Sequence, residues 1–106
     1  MTLDETIYIS ELYNIYGELL TAKQSEILEN YIFDNLSLGE IAQIFNISRQ
    51  AVLDSINKSV SLLNKYEAIL KIKSNNLKVT EVLKEVKDNV TDEKLINKIN
   101  NLLETL

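Results

Sequence analysis

The stretch Leu36–Lys58 reads LSLGEIAQIFNISRQAVLDSINK, and its spacing decides the fold. Ser37 and Glu40 stand at capping-box distance, so a helix opens after Ser37. Ile41, Ala42, Ile44 and Phe45 supply its inward residues. Ala42 is small and lies mid-helix, where a second helix has to cross closely. Asn46 tolerates the left-handed backbone that ends a helix in a tight turn. Ile47 is the apolar plug of that corner. Ser48 caps the next helix, and Val52 and Ile56 anchor it on Ile41 and Phe45. These are the demands of a helix-turn-helix; the alternative is an ordinary helical hairpin within a bundle.

In a helix-turn-helix the second helix normally lies in the DNA major groove. Arg49, Gln50, Leu53, Asp54 and Asn57 would then point outward, with Lys58 on the flank. Arg49 has the fork that reads guanine, and Gln50 or Asn57 the amide that reads adenine. Leu53 suits a thymine methyl. Ser37 and Ser48 mark helix starts whose N–H groups can meet phosphates. The expected nucleic-acid-binding set is therefore Ser37, Ser48, Arg49, Gln50, Leu53, Asn57 and Lys58.

Working outward, Thr21 and Gln24 form another box, opening a helix with Ile27, Leu28, Tyr31 and Ile32 inward and stopping at Phe33–Leu36. Before it, Thr2 and Glu5 open a helix with Ile9, Leu12, Tyr13, Tyr16, Leu19 and Leu20 on one face. It ends near Leu20. After Ser48, the stripe Val52, Ile56, Ser59, Leu63, Tyr66 and Leu70 predicts a helix to about Lys73, roughly 25 residues long. Asn75–Asn76 reads as a break. The Val-rich run Leu77–Val86 has helical rather than strand spacing. Asp88–Asn89 breaks again, and Thr91 is expected to cap a last helix with Leu95, Ile99, Leu102, Leu103 and Leu106 in its stripe. The expectation is an all-α protein of five or six helices: one helical domain over 1–106, a helix-turn-helix core at about 21–73, and a C-terminal helical extension at about 74–106.

Composition narrows the function. The 106 residues contain no His, Cys or Pro and only two glycines, Gly17 and Gly39. Imidazole bases, thiol nucleophiles, zinc sites and Gly-rich phosphate loops drop out together. Carboxylates such as Glu26 and Glu81 fall on polar helix faces, and no pair is brought into an apolar pocket. No catalytic residue, metal or cofactor is expected. No apolar run approaches the roughly 18 residues of a membrane span, and Met1–Glu5 has no signal-peptide character. A soluble cytoplasmic protein is expected.

The formal charge is −5, which excludes a uniformly basic nucleic-acid binder. Residues 1–20 carry −4 of it, residues 21–73 are neutral, and residues 74–106 carry −1. Within 37–73, Arg49, Lys58, Lys65, Lys71 and Lys73 oppose Glu40, Asp54 and Glu67, a net of +2. That is thin for phosphate contacts, and a dimer would double it. The wide apolar face of the first helix and the Leu62–Ile69 patch of the long one point to a homodimer; the alternative is that the C-terminal helices cover them.

Leu20–Gln24, Ser37–Ala42, Asn46–Val52, Tyr66-Glu67 and Val90–Leu103 together resemble the YlxM family, with the Ser48–Val52 core the most diagnostic piece. These are small bacterial proteins whose helix-turn-helix is similar to region 4 of sigma factors. Their genes typically lie beside those for the signal recognition particle protein or its receptor. The resemblance implies an all-helical, often dimeric DNA-binding regulator. Its alternative is an accessory factor that contacts the particle's protein or its RNA without reading DNA sequence.

Overall fold

Polar side chains at the helix starts lay out the chain, which a computed structural model describes over all residues 1–106. Helix α1 (Leu3–Tyr16) begins where Thr2 Oγ1 accepts from the Glu5 N–H at 3.2 Å. Only this half of the expected box forms there. A 3₁₀ turn, Gly17–Leu19, follows. Helix α2 (Ala22–Ile32) opens on a complete box: the Gln24 N–H donates to Thr21 Oγ1 at 3.2 Å, and the Thr21 N–H to Gln24 Oε1 at 3.0 Å. Asn35, at φ 54°, turns the chain toward helix α3 (Leu38–Phe45), which opens on the Ser37–Glu40 box. Helix α4 (Arg49–Leu70) is the longest element. Helices α5 (Ile72–Asp88) and α6 (Glu93–Leu103) complete an all-α chain.

The chain forms two compact units, Met1–Leu70 and Lys71–Leu106. In the first, α4 is the spine, and α1, α2 and α3 each pack against it. Ile9, Leu12 and Tyr16 come from α1, Ile27 and Leu28 from α2, Ile41 and Ala42 from α3. They meet Val52, Ile56 and Leu63 of α4 in one core. Burying each of the Ile, Leu and Val side chains among them is worth about 1.5–3 kcal/mol. Tyr16 also closes the α1–α4 contact with a polar bond, its hydroxyl donating to Glu67 Oε1 at 2.7 Å. The Tyr13 hydroxyl donates to Glu29 of α2. Desolvation first, and that carboxylate second, push the Tyr13 pKa up. In the second unit α5 packs against α6, and neither helix has a fully buried residue.

Several expectations need correction. The long helix ends at Leu70, not Lys73, because Lys71 adopts a left-handed backbone at φ 55°, ψ 28°. Asn75 and Asn76 do not break the chain; they lie inside α5, and the Asn75 N–H donates to the Lys71 carbonyl at 2.9 Å. Asn is a weak helix former by only about half a kcal/mol, which the apolar spacing of α5 overrides. Asp92, not Thr91, caps α6: its Oδ1 accepts from the Lys94 N–H at 2.9 Å and from the Leu95 N–H at 3.4 Å. Ile44 and Leu19 were expected inward but are 60% and 56% exposed. Ile44 lies off the narrow Ile41–Phe45 edge of α3 that faces the core. Leu19 is carried outward by the 3₁₀ turn.

Candidate nucleic-acid interface

The interface is built at the crossing of α3 and α4. Asn46 ends α3 at φ 54°, ψ 48°, with its N–H directed at the Ala42 and Gln43 carbonyls. The Ile47 N–H reaches back to the Ala42 carbonyl at 3.0 Å, and the Ile47 side chain packs half-buried against the core. Ala42 itself is buried at the crossing. Ser48 then restarts the chain, its Oγ accepting from the Ala51 N–H at 3.0 Å. A left-handed Asn, an apolar plug and a Ser cap thus fix the angle at which α4 leaves α3.

With Val52 and Ile56 buried, the opposite side of the first turns of α4 faces solvent. Arg49, Gln50, Leu53, Asp54, Asn57 and Lys58 are all exposed. Ser37 and Ser48, also exposed, cap the starts of α3 and α4. The Arg49 guanidinium lies over Gly39, in the first turn of α3. A methyl group on Gly39 would stand 2.9 Å from Nη2 and 3.1 Å from Nε. The two helix starts and the sole arginine therefore share one surface. Glu40 stands at the same start, its carboxylate accepting from the Ser37 N–H at 3.1 Å. That backbone hydrogen bond chiefly, and the Ser37 side chain secondarily, hold the Glu40 pKa below its ordinary value.

Two features of this surface have no counterpart in the sequence spacing. Gln50 Nε2 donates to Asp54 Oδ1 at 2.8 Å, one turn apart. The amide is thus tied to the acidic residue of the reading face, keeping Oε1 and one N–H for a base edge. Lys23 at the start of α2 and Lys58 of α4 line one groove of about 310 Å³, floored by Ile27, Ile47 and Ala51, with Asp54 also in its wall. Lys23 joins the candidate set on that geometry. Its only signal in the sequence was its place inside the Thr21–Gln24 box, which says nothing of the distance to α4.

An exposed second helix, set by a capped left-handed turn on a small-residue crossing, makes this a helix-turn-helix protein. The chain belongs to the UPF0122 family, described as "Putative helix-turn-helix protein, YlxM / p13 like", whose model matches residues 3–103. This is the family the sequence segments resemble. A UPF0122 protein of Fusobacterium nucleatum is 43% identical over 103 residues, spanning 97% of this chain and all of that one. One from Mycoplasma capricolum is 45% identical over 92 residues, 87% of this chain and 81% of its own. One from Halalkalibacterium halodurans is 38% identical over 104 residues, 98% and 95% of the two chains. No helix is long and apolar enough to cross a membrane.

Proposed function

We propose that the protein is a DNA-binding regulator that enters the major groove with the first turns of α4, acting as a homodimer in the cytoplasm. The observation that carries this reading is the shared surface of Arg49, Gly39 and the capped starts of α3 and α4. A duplex presents phosphates on either side of a groove, and two helix starts flanking one arginine fit that pattern. In this reading Arg49 and Gln50 address base edges, Leu53 and Asn57 follow along the groove, and Ser37, Ser48, Lys58 and Lys23 position the phosphates.

Charge favours a second reading. Met1–Leu70 holds only Lys23, Arg49, Lys58 and Lys65 against ten carboxylates, a net of −6. A surface of that sign gains little from counterion release. It suits an accessory factor of the signal recognition particle that contacts the particle's protein; a contact with the particle's RNA, the other form of this reading, meets the same phosphate penalty as a duplex. The same experiment separates the two readings. Fluorescence anisotropy of a duplex is followed against salt, with the wild type and Arg49→Ala, alongside co-purification from extract with and without nuclease. The first reading expects binding that falls steeply with salt. Arg49→Ala then weakens it by about 1–3 kcal/mol and flattens the salt slope by about one. Co-purification with the particle, indifferent to Arg49→Ala, supports the second reading. Binding to neither at micromolar protein and low salt overturns both.

A further inference from the structure

Gly39 is one of two glycines in the chain, and its backbone does not ask for one. It lies in the first turn of α3, and no glycine here has a positive φ. Alanine would take the same backbone more readily, because a glycine inside a helix loses more conformational freedom on folding. The reason for a bare Cα at this position is therefore space. A Cβ at position 39 would stand 2.9 Å from Arg49 Nη2, 3.1 Å from Nε and 3.2 Å from Cζ. The first of these is closer than real Cβ contacts come, so the guanidinium would have to move.

The same close approach settles where the one arginine of the chain lies. Arg49 opens α4 directly after Ser48, so its backbone is held by the cap that the Ala51 N–H makes with Ser48 Oγ. Its side chain has no such tie. The guanidinium makes no hydrogen bond or ion pair within the chain, which leaves its five donors for an outside acceptor. Glu40, next to Gly39, does not engage it; that carboxylate is turned to the Ser37 N–H at 3.1 Å. The contact with the bare Cα of Gly39 is what remains to hold the guanidinium.

We propose that Gly39 is a positioning residue: its missing Cβ seats the Arg49 guanidinium on the first turn of α3, between the two helix starts, before a duplex arrives. The inference rests on the DNA-binding reading above and makes a residue of α3 the determinant of how the α4 arginine is presented. The gain is entropic. A long side chain that is already placed gives up less rotamer freedom on binding than a free one. The seat weakens α3 slightly, and alanine would restore that stability while removing the seat.

The test is a double-mutant cycle of Gly39→Ala and Arg49→Ala in the full-length chain. It is read by fluorescence anisotropy of a labelled mixed-sequence duplex at low salt, by thermal unfolding, and by NMR relaxation of the Arg49 Nε–H group. One arginine gives one such signal. Gly39→Ala is expected to weaken duplex binding about fivefold where Arg49 is present. In the Arg49→Ala chain it is expected to change nothing further, because the two residues act as a unit. The Tm of Gly39→Ala is expected at or above the wild-type value, and the Nε–H group is expected to become more mobile. Unchanged Nε–H mobility, or unchanged duplex affinity, overturns the inference. An equal loss of affinity with and without Arg49 also overturns it, and assigns the effect to the backbone of Gly39 itself. A lowered Tm with that equal loss marks Gly39 as a residue of the fold and overturns it too. In each of these cases the wild type still binds the duplex and the DNA reading stands. A wild type that binds no duplex overturns the DNA reading, and the positioning role with it.

Discussion

Ser59 is a hydroxyl in the wrong solvent. It sits on the buried side of α4 between Ile56 and Leu63, has no exposed surface, and its Oγ has no hydrogen-bond partner. An unsatisfied buried hydroxyl costs about 1–3 kcal/mol. Ser59→Ala removes it at nearly constant volume and improves helix propensity. The variant is expected to melt about 5 °C higher than the wild type; a lower Tm by calorimetry would show the hydroxyl to be satisfied. Glu40 makes a second prediction at this scale. Its pKa is lowered in the folded state by the Ser37 N–H. The capping contribution is therefore fully present above the ordinary carboxylate pKa of 4.5 and is lost as pH falls through the lower folded value. The Ser37 amide shift, followed by NMR, should titrate with a midpoint below 4.5. Glu40→Gln, which can still cap, should abolish that titration. The caps at Ser37, Ser48 and Thr21 were legible in the sequence because a cap is a local rule between residues three apart. The Gln50–Asp54 bond and the Arg49–Gly39 contact were not. The first is a choice among rotamers, and the second depends on how two helices cross.

Asn46 shows what an element needs from one residue. It ends α3 at φ 54°, where a side chain with a Cβ is strained and Asn is among the few tolerated. Asn46→Gly should keep the fold with little change in stability. Asn46→Val should lose about 1–2 kcal/mol in a urea titration, because a β-branched residue resists this backbone. Equal stability of the two variants would show that the turn does not rely on the left-handed residue. Lys71 takes nearly the same backbone at φ 55°, yet nothing in its residue type announces it. Residue type therefore places the boundary between the long helix and the next three to four residues late. Asn75 and Asn76 looked like the break because Asn favours turns, but the spacing of Ile72, Val79 and Leu83 continues through them. Thr91 was read as the last cap for a related reason. Thr91 and Asp92 are both competent N-caps, and the choice between them depends on where the chain leaves Asn89. Local signals fixed that each helix exists and where α2, α3 and α4 begin; residue type did not single out Lys71 or Asp92 as boundaries.

At the scale of the molecule, the core lies on one side of Leu70. Every fully buried residue belongs to Met1–Leu70, and α4 supplies the wall against which three other helices pack. Lys71–Leu106 has helices but no interior of its own. The sequence held this division only faintly, since apolar stripes in α5 and α6 look the same whether they enclose a core or border one. Charge follows the division only once the boundary is placed at Leu70, −6 against +1; a boundary after residue 73 gives −4 against −1. The division has a direct consequence for truncation. A fragment ending at Leu70 retains all of the packed apolar side chains, the Tyr16–Glu67 bond and the complete helix-turn-helix. It should unfold cooperatively with a Tm within about 5 °C of the full chain, since its own core supplies the stability. The complementary fragment 71–106 should show little helix by circular dichroism at low micromolar concentration, because its two helices bury no side chain fully and such helices are marginal in water. A fully helical 71–106 fragment would mean that the hairpin is self-sufficient. A fragment 1–70 that fails to fold would mean that the core extends beyond the residues that are buried.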